Sequence, residues 1–248
     1  MKPLIKLGHI DLSFHAASAA VVESLLNLHG HEVHILKAPH EKMFEMLGRG
    51  EVDVMASAWL PASHEKYLAP IRDQVRELTV LYEPYCIWGV PDYVPAEVLA
   101  SVDDLRKPEV LGRMQRRIQG INPGAGISRF SAAMVEAYGL AELGYRFQSG
   151  TEQDCFGAYE RAVAAREWVI IPLWHPQFLH ARYRIRALHE PKGLLGGQDA
   201  ATLVMRRDAQ DKLDPATIRA LEGLYLGNDV VTAIDSAMLA GGRSSSAA

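Results

Sequence analysis

Two tryptophans stand where a binding chemistry is expected. Trp59 ends the apolar run "VDVMASAW" (residues 52–59), and Trp174 ends "WVIIPLW" (168–174). Each is followed two positions on by a proline, Pro61 and Pro176. Both runs read as buried strands. Each proline reads as the opening of the next helix, where a missing N–H costs little. The N–H groups of residues 62–64 and 177–179 are then expected to be free, and helix N-termini favour anions. An indole face favours a poorly hydrated cation. Together these groups suit a zwitterion with a quaternary ammonium at one end and a carboxylate at the other. Core packing is the competing role for both tryptophans, because Trp is largely buried in most folds. Trp168 opens its strand and reads as structural, whereas Trp88 fits either role.

Other groups have bland and sharp readings side by side. His64 and His175 can donate to a carboxylate, or simply cap or pack beside the tryptophans. Phe178, one helical turn beyond Trp174, is equally a core residue. "INPGAGIS" (121–128) is a third strand end, and its glycines suit a tight strand-to-helix turn more than a ligand contact. "HGHEVH" (29–34) invites a metal, but its histidines share no face by alternation, so a solvated turn is expected and no metal. Glu152 and Asp154 read as helix-start carboxylates. No nucleophile elbow, P-loop or dinucleotide fingerprint is present, so neither catalysis nor a cofactor is expected.

The elements that must position these groups alternate. Strands are expected at 4–10, 32–38 and 52–59, with helices at 18–30 and 40–50 and a short helix after Pro61. That is β-α-β-α-β, the mark of a mostly parallel sheet covered on both faces. "EPYCIWGVPDYVP" (83–95) breaks the rhythm and reads as an extended crossover. A second set follows, with strands at 117–123, 145–150 and 168–174 and helices at 126–140 and 151–167, the latter capped by Thr151. A return strand spans 199–208, then two helices at 214–227 and 229–240 and a disordered tail "AGGRSSSAA". The expected architecture is α/β with two lobes: 1–88 plus 199–248, and 89–198. Two crossover strands join them, and the ligand site is expected between the lobes.

Composition narrows the class. A formal net charge of −4 over 248 residues gives no basic footprint for nucleic acid. No run reaches the roughly 18 apolar residues of a membrane span. The two cysteines, Cys86 and Cys155, are too far apart in sequence to suggest a metal pair, and whether they form a disulfide stays open. The start "MKPLIKLGHIDLSF" has no long apolar core and reads as the first strand of a mature fold. Either a leader has been removed, or the chain stays inside the cell.

Three segments, "DVMASAWLPASHEKY", "GINPGAGISRFSAAMVEAYGL" and "WHPQFLHARYRIRALHEPKG", resemble the substrate-binding proteins of glycine betaine/proline betaine ABC importers. The last two are similar to that family's "DPGAGI" and "GW-x-PHW…DPKG" stretches, and the resemblance covers most of residues 4–206. It implies the type II periplasmic-binding-protein fold and a non-enzymatic, monomeric protein that closes on its ligand. It also implies a betaine, choline, carnitine or related solute, an ABC permease as partner, and a periplasmic or other extracytoplasmic location. Trp59 and Trp174 match the family's cage aromatics. Gln177 and Phe178 stand where "PHW" is common, Asp11-Leu12 where "DW" is common, and Asn122 where an Asp is common. The departures imply a cage weakened or rebuilt, with Phe14, Tyr85 or Trp88 as a replacement wall and Ser13, His15 or nearby N–H groups at the anionic end. An intracellular sensor of the same fold, binding another small zwitterion or cation, is the alternative.

Overall fold

A computed structural model describes residues 2–244. In chain order its elements are β1 (Ile5–Ile10), α1 (Ser13–Leu28), β2 (Val33–Ala38), α2 (His40–Gly48), β3 (Val54–Leu60), α3 (Glu65–Leu68) and β4 (Val75–Tyr82). Then come β5 (Tyr85–Pro91), α4 (Pro108–Leu111), β6 (Arg117–Gln119), α5 (Gly126–Ala137), β7 (Arg146–Gln148), α6 (Glu152–Ala164), β8 (Ile171–His175), α7 (Leu179–Arg182) and β9 (Ile185–Ala187). The chain ends with β10 (Ala200–Arg206), α8 (Pro215–Glu222) and α9 (Asn228–Ser244). Two compact units result: Met1–Pro84 with Asp199–Ala248, and Tyr85–Gln198.

The first unit is built on a five-stranded sheet ordered β2-β1-β3-β10-β4. β1 pairs in parallel with β2 and β3, and β10 runs antiparallel between β3 and β4. All seven residues of β3 are buried, as expected of a central strand covered on both faces. Gly8 lets α2 press onto β1, because a Cβ there would lie 2.6 Å from Met43 Sδ and 2.8 Å from Val52 Cγ1.

In the second unit β5 lies between β8 and β9, antiparallel to both, and β6 pairs in parallel with β7. The stretch expected as an extended crossover holds β5, which is paired on both sides. α6 opens with a capping box in which Thr151 Oγ1 accepts from Asp154 N and Asp154 accepts from Thr151 N.

Several expected boundaries move for physical reasons. α1 begins at Ser13 rather than residue 18, which puts Phe14 and His15 in its first turn. The strand expected from 168 begins at Ile171, and Trp168 makes only an isolated bridge to Met114. The helix expected over 214–227 stops at Glu222, and Leu226 N and Gly227 N both donate instead to Leu81 O. The final helix runs on to Ser244, through half of the tail expected to be disordered, and residues 245–248 lie outside the described residues. Both cysteines are free. No helix of the described residues is long and apolar enough to cross a membrane.

Candidate functional site

In the first unit, the end of β3 and the first turn of α1 assemble an aromatic group. Trp59 lies 5.1 Å from Phe14, 5.7 Å from His15 and 6.3 Å from His64, measured between ring centroids. His64 also meets His40 and Phe44 edge-on, at 5.4 and 5.5 Å. Trp59 and Phe14 keep only 5 % and 2 % of their surface exposed. His64 Nδ1 accepts from Trp59 N at 2.8 Å, so the His64 ring proton sits on Nε2 when the ring is neutral. His15 is held well below the ordinary histidine range, first by burial and then by the neighbouring histidines His64, His40 and His9.

The turn after Trp59 departs from expectation. Residues 61–64 form turns, and α3 starts only at Glu65. The N–H groups expected to be free are already taken. Ala62 N donates to Asp199 Oδ1 at 2.7 Å, Ser63 N to Asp199 Oδ2 at 3.2 Å, and His64 N to Trp59 O at 2.8 Å. Asp199 thus occupies the anion site that the sequence reading left for a ligand. In the second unit Leu179 N is likewise taken, by Gln177 Oε1 at 2.6 Å, and His180 N donates to Gln177 O at 3.1 Å.

The second unit carries its own aromatic group at the end of β8. Phe156 lies 5.9 Å from Trp174 and 5.4 Å from Phe178, the latter edge to face at 89°. Trp174 is buried, and its carbonyl accepts from His180 Nε2 at 3.0 Å. Burial lowers the His180 pKa, with the Trp174 bond opposing. His175 stacks on Tyr85 at 5.4 Å with planes 8° apart, and Tyr85 is 42 % exposed. Trp88 stands apart from this group. It is fully buried, and its Nε1 donates to Ser131 Oγ at 2.8 Å.

Two polar atoms beside these groups are buried with no hydrogen-bond partner among the described residues: Ser13 Oγ, at the first residue of α1, and Gln177 Nε2, after β8. A buried orphan donor costs of order 1–3 kcal/mol, so each marks a place where a partner would be stabilising. Ser13 is a candidate on sequence grounds, whereas the one sequence signal at Gln177 is an amide where the family motif has an imidazole.

The remaining candidates resolve locally. The "INPGAGIS" turn closes on itself, with Ser128 Oγ donating to Ile121 O at 3.1 Å and Arg129 Nη1 to Gly124 O at 2.6 Å. The "HGHEVH" turn is less solvated than expected. His31 is buried, and His29 Nδ1 and His31 Nε2 both reach Thr217 Oγ1, at 3.2 and 3.5 Å. Among the described residues no cluster of three His, Cys, Asp or Glu could hold a metal.

The fold has solved relatives. A lactococcal OpuAC in its closed, glycine betaine-bound conformation superposes with a TM-score of 0.83 at 21 % identity, over 96 % of this chain and 90 % of that one. The glycine betaine/L-proline-binding protein ProX of Borrelia burgdorferi gives 0.82 at 22 % identity, over 94 % and 86 %. A choline-binding protein of an ABC transporter, in complex with choline, gives 0.80 at 18 % identity, over 96 % and 83 %. At these identities the likeness establishes the mixed α/β fold of type II periplasmic binding proteins. No curated protein sequence gives a significant match. Residues 3–248 match the family described as the substrate binding domain of the ABC-type glycine betaine transport system, OpuAC. The chain belongs to that family of transporter substrate-binding domains, which bind and do not catalyse.

Proposed function

We propose that this protein captures a small solute bearing a methylated ammonium group, of the betaine or choline type, and delivers it to an ABC permease from the extracytoplasmic side. Trp59 in the first unit and Trp174 in the second each offer an aromatic face suited to a methylated cation. Phe14 completes the wall beside Trp59, and Phe156 and Phe178 back Trp174. Gln177 Nε2 and Ser13 Oγ donate to the anionic end of a zwitterion. The observation that carries this reading is the packing of Trp59 against Phe14, 5.1 Å between centroids, at the end of the central strand of its sheet. Aromatic rings there offer a methylated cation a desolvated electrostatic partner, worth about 2 kcal/mol per face. Family membership and the ligands named for the solved relatives support the same class.

The test separates charge from shape. Glycine betaine and its uncharged-head isostere 3,3-dimethylbutanoate differ only in nitrogen against carbon at the methylated centre. Calorimetric titration of ligand-stripped protein should show betaine, proline betaine, choline or carnitine binding, and the carbon isostere weaker by at least tenfold, about 1.4 kcal/mol. Equal binding of the isostere would contradict cation recognition by aromatic faces.

A further inference from the structure

We infer that Tyr82 is a positioning residue for Trp59, holding the indole through a buried hydrogen bond; this rests on the reading of Trp59 as a ligand wall. Trp59 Nε1 donates to the Tyr82 hydroxyl at 3.0 Å. The two rings meet edge to face, with centroids 6.3 Å apart and planes at 85°, and Tyr82 is fully buried. An indole N–H can only donate. The bond therefore fixes which edge of Trp59 turns to Tyr82, and with it the orientation of the ring face.

The side chains around Tyr82 are held in turn. The Ser57 and Ser18 hydroxyls lie beside the Tyr82 hydroxyl and partly offset the effect of its burial. Ser18 Oγ donates its one proton to Phe14 O at 2.9 Å, and Ser57 Oγ pairs with His15 Nδ1. The acceptor is a neutral phenol, since burial pushes the Tyr82 pKa up to about 12.

A second observation points the same way. Ser57 lies on the fully buried strand β3 with φ +60°, the left-handed region. A non-glycine residue there is uncommon, and such strain persists only where the surroundings over-determine it. From that conformation Ser57 Oγ pairs with His15 Nδ1, whose ring lies 5.7 Å from that of Trp59.

The test is a double-mutant cycle on the full chain with Tyr82→Phe, Trp59→Phe and the pair, read by glycine betaine affinity and by the indole N–H resonance that Trp59→Phe removes. Tyr82→Phe should weaken glycine betaine roughly tenfold, shift the Trp59 resonance and speed its exchange with solvent. In the Trp59→Phe background the same change should alter affinity by less than about twofold. Equal losses in both backgrounds would reduce Tyr82 to a structural residue and overturn the inference. Failure of the ligand reading looks different, because Trp59→Ala would then leave affinity unchanged or the wild type would bind no glycine betaine. In that case the resonance decides alone: a shift in Tyr82→Phe supports the positioning bond, and an unmoved resonance overturns it.

Discussion

Asp199 clasps Ser63. Its carboxylate accepts from the Ser63 hydroxyl at 2.6 Å and from the Ser63 N–H at 3.2 Å, while its other oxygen takes the Ala62 N–H at 2.7 Å. Three donors of the turn that follows Trp59 thus depend on one buried side chain, and Asp199 N anchors in turn on Pro84 O at 2.8 Å. Asp199→Ala should remove the acceptor these donors share and cost about 3 kcal/mol in urea unfolding, with a loss of ligand affinity as the turn loosens. Asp199→Asn keeps one carbonyl acceptor and should cost about half as much. Wild-type stability in Asp199→Ala would show that the clasp contributes little.

His15 makes stability depend on pH. Burial holds its pKa well below 6.5, and His9 is lowered chiefly by the same cause. The unfolded chain binds protons near pH 6.5 that the folded chain refuses. The stabilisation is therefore complete above that pH and is lost as pH falls from there through the folded value. Each such histidine tilts the unfolding free energy by at most about 1.4 kcal/mol per pH unit in that window. Urea unfolding between pH 7.5 and pH 5 should show the fall, and His15→Gln should flatten it. An unchanged slope in the variant would place the acid sensitivity elsewhere.

If Gln177 meets the anionic end of the ligand, it should separate zwitterions from simple cations. Its Oε1 caps Leu179 N at 2.6 Å, and its buried Nε2 has no partner among the described residues. Gln177→Glu preserves the cap, removes the donor and adds a negative charge. Glycine betaine affinity should fall by roughly a hundredfold, as expected for a carboxylate facing a carboxylate, while choline, which has none, should fall much less. Parallel losses for both ligands would show that Gln177 does not sense the anionic end.

Trp88 should behave as a core residue. Its indole N–H donates to Ser131 Oγ at 2.8 Å, and both side chains are fully buried. Trp88→Phe should cost about 2 kcal/mol of stability through the orphaned hydroxyl and the space left behind. Ligand affinity should change by less than about twofold. A large affinity loss at unchanged stability would move Trp88 into the site.

The strand-helix alternation of the first unit is legible because its central strand, Val54–Leu60, is apolar at every position but Ser57 and is buried throughout. β4 escapes such reading because Arg76, Glu77 and Thr79 interrupt it at the edge of the sheet, where only Val75, Leu81 and Tyr82 are buried. The two aromatic positions stand out through their Trp-x-Pro spacing. The groups that fix them do not, since their partners are remote in sequence. Asp199 lies 137 positions from Ala62, and Tyr82 lies 23 from Trp59. Local chemistry predicts free N–H groups after Trp59, and a distant carboxylate removes them. His31 misleads in the same way: a polar turn by composition, it is buried against Thr217.

Under the proposed function, Trp59 and Trp174 are each a face for the methylated cation. The most direct measurement is calorimetric titration of Trp59→Ala and Trp174→Ala with the solute that binds the wild type most tightly, with circular dichroism melts to show that each variant is folded. Each single change should weaken binding by about thirtyfold or more, the equivalent of one lost aromatic face. Wild-type affinity in either folded variant would remove that tryptophan from the site.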